Sequence, residues 1–358
     1  MSTARSDDVQ AERVLNAKLV RQALRLALSA TLAFGFAEYQ GWEFSFLAPM
    51  IAVQLLAVMP SGIRPAQALA IPLLLAGASL AAIVVSSLFN GNPAVLLLFV
   101  GLIIFLAFYG ERRGVSAFAM SLIRIAFCVI PIVAIISAPT GEQLAWFLVL
   151  SGIAAVVVVA IAHALIPTPN TDPPTAQSPT GAFDAAVASR VALSDTLVLL
   201  PLLAAFIIGE DVNNIVILIM TLNIVRQVDP SQGARLAMGL ILGNLLGGAV
   251  GVVAHEFVVL TANFAFFLFA ILVPSLWFAG RIVRGGPTAP IYIVGFATFI
   301  LILGLGVSPL PGASAESFIP RVLKIIIASI YTIGALSLVS RLRRSAAILP
   351  AARPEAER

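Results

Sequence analysis

The two halves of this 358-residue chain resemble each other, and this repeat restricts the possible folds more than any other feature. Residues 25–32 read RLALSATL and residues 190–197 read RVALSDTL, with six of eight positions identical. Residues 62–78 match residues 233–249 at eight of seventeen positions. Two shorter stretches also correspond, residues 112–117 and 284–289. Two similar halves are typical of membrane proteins with repeat architecture, many of which are transporters.

Composition places the chain in a membrane. Hydrophobic residues make up 60% of it and charged residues 11%, whereas soluble proteins have about 45–50% and about 25%. Several apolar runs approach the length of about 20 residues that a helix needs to cross the hydrocarbon core. These runs are apolar on all sides, unlike the one-sided helices of soluble proteins. The sequence therefore predicts an all-α polytopic membrane protein.

Polar breaks divide the chain into about twelve predicted transmembrane helices, six in each half. In the first half they span residues 20–38, 44–59, 66–89, 93–109, 115–137 and 144–166. In the second half they span residues 190–208, 213–227, 234–255, 259–280, 287–306 and 319–341. The second helix of each half is short and has polar flanks, so we expect it to be tilted, re-entrant or broken.

The predicted domain boundaries follow from these segments. Residues 1–19 form a charged cytoplasmic segment, expected to be a short helix that continues into the membrane. Residues 20–166 form the first six-helix repeat and residues 190–341 the second. The linker, residues 167–189, is rich in proline and polar residues and is expected to be flexible. Residues 342–358 form a cytoplasmic tail that is expected to be disordered.

Charged loop residues predict the orientation of the helices. One side carries basic loop residues: Arg64, Arg112, Arg113, Arg190, Arg226, Arg235, Arg281, Arg284, Arg341, Arg343 and Arg344. The other side carries acidic ones: Glu38, Glu43, Glu142, Glu210, Asp211, Glu256 and Glu316. The positive-inside rule then places both termini in the cytoplasm. Six helices per half make the two repeats parallel. The net charge of +4 is accordingly attributed to an anionic leaflet and not to nucleic acid.

Catalytic and cofactor motifs do not occur in the sequence. It contains no Walker motif, no Gly-x-Ser-x-Gly and no His-Glu-x-x-His, so we predict neither an enzyme nor an ATP-driven pump. Cys128, the single cysteine, lies in an apolar helix, and His163 and His255 lie far apart in the sequence. We therefore expect no metal and no other cofactor.

Arg124 is the most informative polar residue inside a predicted helix. It lies roughly 14 Å from the start of its segment, near the membrane midplane. A charge at that depth costs at least about 2.5 kcal/mol, and such residues face a cavity or a partner. Two interpretations are open: a structural ion pair, for example with Asp195, or an anchor for an anionic substrate. The matching position of the second half is Phe296, so the fold does not require the charge.

Other candidate site residues lie on the second, fifth, seventh, eighth and eleventh predicted helices. Asp195 is a candidate to carry or balance a proton, although it also fits the membrane interface. Gln54 and Asn223, in matching regions of the two halves, are candidates to line a pathway or to join helices. The rings of Phe127, Phe296 and Phe299 fit either stacking on an aromatic substrate or packing. We place the predicted site between the halves near the midplane.

A loose motif in both halves resembles a known family. A short helix ends in proline and a tight turn, and an arginine and a glycine-rich helix follow. The residues are Pro49, Gln54, Pro60, Gly62, Arg64 and Gly77 in the first half, and Gln227, Pro230, Gly233, Arg235, Gly243, Gly247 and Gly248 in the second. The chain resembles the fusaric acid resistance and aromatic acid exporter superfamily of bacterial inner-membrane proteins. Larger members have a sizeable cytoplasmic domain, and we expect none within these residues.

The resemblance implies a multi-pass protein of the bacterial inner membrane that exports aromatic or other small organic anions. It implies coupling to the proton gradient and a periplasmic adaptor protein as partner. We also expect a homo-oligomer formed through a small-residue helix face. Separately, Gly239, Gly243, Gly247 and Gly251 form a ladder that indicates close helix packing. The alternative function is a non-transporting scaffold or assembly subunit of an envelope complex.

Cysteine accessibility tests the predicted topology. A cysteine introduced at position 142 is expected to react with a membrane-impermeant maleimide from outside intact cells, because the acidic loops face outwards. A cysteine at position 112 is expected to react only after the membrane is opened. Cys128 serves as the background control, measured in the unmodified protein. The reverse labelling pattern would contradict this orientation.

Overall fold

The structure, a computed structural model, describes residues 2–60, 62–167, 183–209, 233–261 and 263–307, with five further positions between 327 and 335. All regular elements in these ranges are α-helices. Ten helices are bounded as follows: α1 Ser2–Tyr39, α2 Leu47–Val58, α3 Pro65–Phe89, α4 Pro93–Arg112, α5 Ala117–Ile136, α6 Ala138–Leu165, α7 Ala185–Gly209, α8 Gly233–Thr261, α9 Phe264–Val283 and α10 Ala289–Val307.

Nine of these ten helices are long and apolar enough to cross a membrane. In α1 the apolar part is Asn16–Tyr39, so residues 2–15 extend the same helix. The prediction of a polytopic, helical membrane protein is confirmed for the described part of the chain. The predicted segments 213–227 and 319–341 fall largely outside the described residues, as do residues 168–182 of the linker and the tail 342–358.

Helix α2 is the exception to this length. Its 12 residues rise about 18 Å at 1.5 Å per residue, which is less than the roughly 30 Å of hydrocarbon in a bilayer. The expectation of a short second helix therefore holds for the first half. Its first six residues, and Leu55 and Leu56 near its end, are buried against neighbouring helices. A polar helix end inside the bundle is tolerated only where protein surrounds it.

Local signals explain where several helices begin. The side chain of Ser116 accepts a hydrogen bond from the Ala119 backbone N–H, and Asn263 accepts one from that of Ala265. Such N-caps satisfy donors that a helix leaves unpaired at its start. Helix α7 begins at Ala185, so the predicted linker 167–189 ends earlier than expected.

The turns after α4 and after α9 share one backbone feature. Gly114 has φ +91° and Gly286 has φ +87°. Glycine enters this left-handed region without the steric cost that a side chain brings. These two glycines also correspond in sequence, at equal positions within residues 112–117 and 284–289. Each turn returns the chain into an antiparallel helix, α5 in one case and α10 in the other.

Helix packing follows the same pattern in the two halves. Helix α3 packs against α5, and α8, its sequence counterpart, packs against α10. Helix α4 contacts α5, and α9 contacts α10. Between the halves, α4 packs against α7 and α9 packs against α1. Each of these two interfaces joins the fourth helix of one predicted repeat to the first helix of the other.

The two interfaces between the halves differ in chemistry. The α1–α9 interface is aromatic, with ring centroids 5.5 Å apart for Phe34 and Phe267 and 6.0 Å apart for Tyr39 and Phe264. The α4–α7 interface contains an ion pair between Arg112 and Asp195. These contacts lie at opposite ends of the bundle, because Tyr39 ends α1 whereas Arg112 ends α4 on the side where α1 begins.

The glycine ladder of α8 forms the closest helix contact in the second half. A side chain on Gly243 would place its Cβ 2.5 Å from the carbonyl oxygen of Ile291. A Cβ on Gly247 would overlap the carbonyl oxygen of Gly295. Thr298 on α10 also donates a buried hydrogen bond to Asn244 on α8, at 2.6 Å. Small residues thus allow backbone contact between α8 and α10, as the spacing of the ladder predicts.

Gly247→Ala tests this close contact. The added methyl group overlaps the Gly295 carbonyl oxygen, so α8 and α10 must separate. We expect a loss of about 1–3 kcal/mol, the usual cost of overpacking, seen as a lower midpoint of thermal unfolding in detergent.

Gly77→Ala on α3 is the matched control, because nothing lies within 4 Å of its Cβ position. Alanine there is expected to leave stability unchanged or raise it slightly, since alanine favours helix by about 1 kcal/mol over glycine. Equal midpoints for the two variants would contradict the close contact.

Candidate functional site

The end of α4 carries three consecutive charged residues that reach different parts of the protein. Glu111 and Arg112 lie in the last turn of α4, and Arg113 follows it. Successive residues of a helix point about 100° apart, so the three side chains leave in three directions. Glu111 binds Arg124 on α5, Arg112 binds Asp195 on α7, and Arg113 binds the backbone of Phe183. We call these five charged residues the α4 cluster.

Arg124 is the buried centre of the α4 cluster. Its side chain is 1% exposed, and its Nη1 donates to Glu111 Oε2 at 2.6 Å. The face of the guanidinium lies 4.4 Å from the ring centroid of Phe108. A charged hydrogen bond is about twice as strong as a neutral one, and an aromatic ring attracts a cation electrostatically. These two contacts make a buried arginine tolerable in an apolar bundle.

Only one of the two terminal nitrogens of the Arg124 guanidinium is hydrogen-bonded among the described residues. Nη2 is buried and has no hydrogen-bond partner among the described residues. A buried donor without a partner costs about 1–3 kcal/mol. Guanidinium presents two parallel N–H groups that match the two oxygens of a carboxylate. The Nη2 group of Arg124 can therefore donate a hydrogen bond to a further carboxylate oxygen while Nη1 keeps its orientation.

The second pair of the α4 cluster joins the two halves of the chain. Arg112 Nη2 lies 3.1 Å from Asp195 Oδ2, and the Asp195 side chain is 4% exposed. The Phe183 backbone N–H donates to the Arg112 carbonyl at 3.1 Å. Arg113 Nη1 donates to the Phe183 carbonyl, also at 3.1 Å. Three polar contacts therefore hold the end of α4 against α7 and the residues before it.

The α4 cluster has an excess of positive charge. It contains three guanidinium groups and two carboxylates, from Arg112, Arg113, Arg124, Glu111 and Asp195. One unit of positive charge therefore remains when all five residues are ionised. A local excess of this sign attracts anions and repels cations.

Two expectations about Arg124 differ from the structure. Arg124 pairs with Glu111, and Asp195 pairs with Arg112, so the suggested Arg124–Asp195 ion pair is wrong. Arg124 is the eighth residue of α5, about 10 Å along the helix, and its guanidinium reaches the last turn of α4. The guanidinium therefore lies nearer to the turn that joins α4 and α5 than to the middle of α5.

The other predicted site residues are not gathered around Arg124. Phe127 is buried on the same helix. Phe296 is buried on α10, where its ring centroid lies 5.7 Å from that of Phe278 and 6.4 Å from that of Phe299. Helix α10 packs mainly against α8 and α9. Phe296 and Phe299 thus pack within the second half, away from the α4 cluster.

The polar candidates on the second helices are only partly described. Gln54 is half-buried near the end of α2. Asn223 lies outside the described residues, so its expected position opposite Gln54 stays a prediction.

Arg25 is a second buried arginine, and it was not among the predicted site residues. Its Nε donates to the Ile166 carbonyl at 2.7 Å and its Nη1 to the Pro60 carbonyl at 3.2 Å. These carbonyls follow α6 and α2, so Arg25 satisfies acceptors at two helix C-termini. The signal was present, because Arg25 opens the repeated stretch RLALSATL. Its counterpart Arg190 is exposed.

Glu111 was also missed, although it is the direct partner of Arg124. The available signal is its place beside two arginines in a turn between apolar helices. Within the described part of the chain, no group of three or more histidine, cysteine, aspartate or glutamate side chains could hold a metal ion.

These features define a polytopic membrane protein with a net positive charge cluster at one end of its helices, in which Arg124 and Asp195 are buried and Arg113 is exposed. Residues 22–162 match the model of a family described as "Protein of unknown function (DUF2955)". The matched range is less than half of the chain and runs from α1 into α6. No curated protein and no solved structure matches the chain.

Unequal effects of single substitutions test the burial of the Arg124–Glu111 pair. Glu111→Ala leaves a buried guanidinium without its carboxylate, for which a loss of about 3–5 kcal/mol is usual. Arg124→Ala is expected to cost less, because the Glu111 side chain is 20% exposed and can turn to water. The double variant should lose less than the sum of the two, as contacting residues do.

Thermal unfolding of the purified variants in detergent measures these effects. Arg284→Ala, an exposed arginine at the end of α9, is the matched control and should unfold like the wild type. A Glu111→Ala variant as stable as the wild type would contradict the description of Arg124 as a buried, paired charge.

Proposed function

We propose that the chain is a secondary transporter of the bacterial inner membrane that exports small organic anions, such as aromatic carboxylic acids. The observation that supports this proposal best is the buried Arg124, with one N–H paired to Glu111 and a second without a partner. Charges inside a membrane usually mark a substrate or ion pathway. A guanidinium with a spare donor is suited to bind a carboxylate.

The charge of the α4 cluster supports an anion as the cargo. With all five residues ionised, and the exposed Arg113 included, three guanidiniums face two carboxylates, so one added carboxylate group balances the cluster. A monovalent cation would raise its charge to two. This argument favours organic anions over the cationic compounds that many exporters carry.

Aromatic rings beside Arg124 support the aromatic part of the proposal. Phe108 stacks on the guanidinium, and Phe127 is buried one turn further along α5. An aromatic carboxylate bound to Arg124 would meet apolar side chains of this kind. Gln54, Asn223 and Phe296 remain part of the proposed pathway only as predictions. Asp195 is proposed to carry or balance a proton, as the sequence analysis suggested.

We also propose that the whole chain comprises twelve helices in two parallel repeats, with both termini in the cytoplasm. Two observations support the repeat. Corresponding helices pack together in the two halves, α3 with α5 and α8 with α10, and the corresponding Gly114 and Gly286 both have positive φ. The range matched by the family model, residues 22–162, coincides with the first predicted unit of residues 20–166. The two interfaces between halves would then be where one repeat moves against the other.

The superfamily and the partners rest on the sequence resemblance. We place the chain beside the fusaric acid resistance and aromatic acid exporter proteins, with a periplasmic adaptor on its acidic face. That face carries Glu38, Glu43, Glu142 and Glu256. We propose homo-oligomerisation through a small-residue helix face other than the glycine ladder, which packs within the protein. A scaffold subunit without transport activity is the alternative outcome of the test below.

Anion flux in proteoliposomes tests the proposed function. The probe is 4-sulfobenzoate, which keeps a negative charge and does not cross the bilayer as a neutral acid, with benzyltrimethylammonium as its cationic counterpart. We expect wild-type protein to transport the anion and not the cation, and an imposed proton gradient to raise the anion flux. Absence of flux from a monodisperse wild-type sample would favour the scaffold alternative.

Substitution of Arg124 tests the site. Arg124→Ala should reduce anion flux about tenfold to a hundredfold, the usual worth of one charged hydrogen bond, while the protein stays folded. Arg124→Lys should restore part of it, because an ammonium does not make the two-pronged contact. Arg284→Ala should transport like the wild type, since that side chain is exposed at the end of α9. Normal flux in folded Arg124→Ala would remove Arg124 from the site.

A further inference from the structure

Glu111 has no role in the proposed function so far, yet it is the direct partner of Arg124. We propose that Glu111 is an internal competitor, a carboxylate of the protein that occupies Arg124 in the substrate-free state and that a substrate carboxylate displaces. This inference rests on the proposed function for its transport consequences. Its binding consequences can be measured separately.

In this pair, Arg124 binds the Glu111 carboxylate through only one of its two terminal nitrogens. Glu111 Oε2 accepts from Arg124 Nη1 at 2.6 Å, and Nη2 has no partner within the described part of the chain. Carboxylates bind guanidinium best when both oxygens accept from both nitrogens. A free carboxylate that reaches Arg124 can therefore make one more hydrogen bond than Glu111 makes.

The unequal burial of the two partners gives Glu111 a place to go. The Arg124 side chain is 1% exposed, whereas that of Glu111 is 20% exposed. Arg124 is further held by the Phe108 ring on its face. Glu111 lies in the last turn of α4, next to the turn that contains Gly114. When displaced, Glu111 can turn towards water at this end of the bundle while Arg124 stays in position.

The neighbouring pair makes Glu111 the mobile carboxylate of the cluster. Asp195 is 4% exposed and binds Arg112 across the two halves. The Phe183 backbone N–H donates to the Arg112 carbonyl, and the Phe183 carbonyl accepts from the Arg113 side chain. These two hydrogen bonds reinforce the contact between α4 and α7. The Glu111–Arg124 contact lies within the first half, at the turn between α4 and α5, and the Phe183 bonds do not involve it. Its exchange therefore leaves the α4–α7 interface intact.

An internal competitor weakens binding and speeds release. Without Glu111, a departing substrate would leave the buried Arg124 charge with no carboxylate, which is costly in an apolar interior. With Glu111, that charge is neutralised as the substrate leaves. The same carboxylate competes with the substrate when it arrives. Glu111 thus lowers affinity for the anion and raises the rate at which it is released.

Glu111→Gln tests this role, because glutamine keeps the shape and a hydrogen-bond acceptor but loses the competing charge. We expect the half-saturation concentration for 4-sulfobenzoate to fall about tenfold, the difference between a charged and a neutral hydrogen bond. The maximal flux should fall with it, since release becomes slow. The anion should also raise the unfolding midpoint of the variant more than that of the wild type. A purely structural Glu111 would instead weaken binding.

Two further samples make each outcome decisive. Glu111→Asp keeps a carboxylate on a shorter stem, so its affinity should lie between those of wild type and Glu111→Gln; this variant decides the matter if glutamine prevents folding. Arg284→Ala should match the wild type in affinity and flux. Tighter binding by Glu111→Gln in a protein without flux would support the competitor and overturn the transport function. Wild-type flux with unchanged or weaker binding by both Glu111 variants would overturn the competitor alone.

Discussion

A guanidinium group inside an apolar bundle must find acceptors, and this requirement organises the described structure. Arg25 takes carbonyls from the ends of two helices, and Arg124 takes a carboxylate from the end of a third. In a membrane no water is available to replace such partners. Helix ends and buried arginines therefore have to lie together, which fixes how α2, α4 and α6 are positioned against α1 and α5.

The helices were predictable because the length and hydrophobicity of each helix depend only on its own residues. Apolar length identified nine of the ten described helices as able to cross a membrane, and shortness identified α2. Partners of buried charges were less predictable, because they depend on which helices meet. The Glu111–Arg124 pair requires the hairpin of α4 and α5, and the Arg112–Asp195 pair requires α4 against α7. Neither contact follows from spacing along the chain.

Phe296 and Phe299 were expected beside Arg124, and that expectation also depended on which helices meet. Phe296 was assigned to the site as an aromatic wall for the substrate, and it also matches Arg124 in the repeat. Matching positions in a repeat occupy equivalent places in two different halves, so they lie apart unless they face the axis between them. The structure places Phe296 in a stack with Phe278 and Phe299. Phe108, which does contact Arg124, is three residues before Glu111 on the facing helix.

The two interfaces between the halves also differ in how they resist motion. Helices in lipid gain little from the hydrophobic effect, since lipid tails are as apolar as leucine. The aromatic interface of Phe34 and Phe267 therefore depends on shape, and rings can shift over one another with small changes in energy. The interface of Arg112 and Asp195 is directional and opens all at once. In a relative motion of the halves, the aromatic interface would therefore slide gradually, whereas the ion pair at the other end would break in one step.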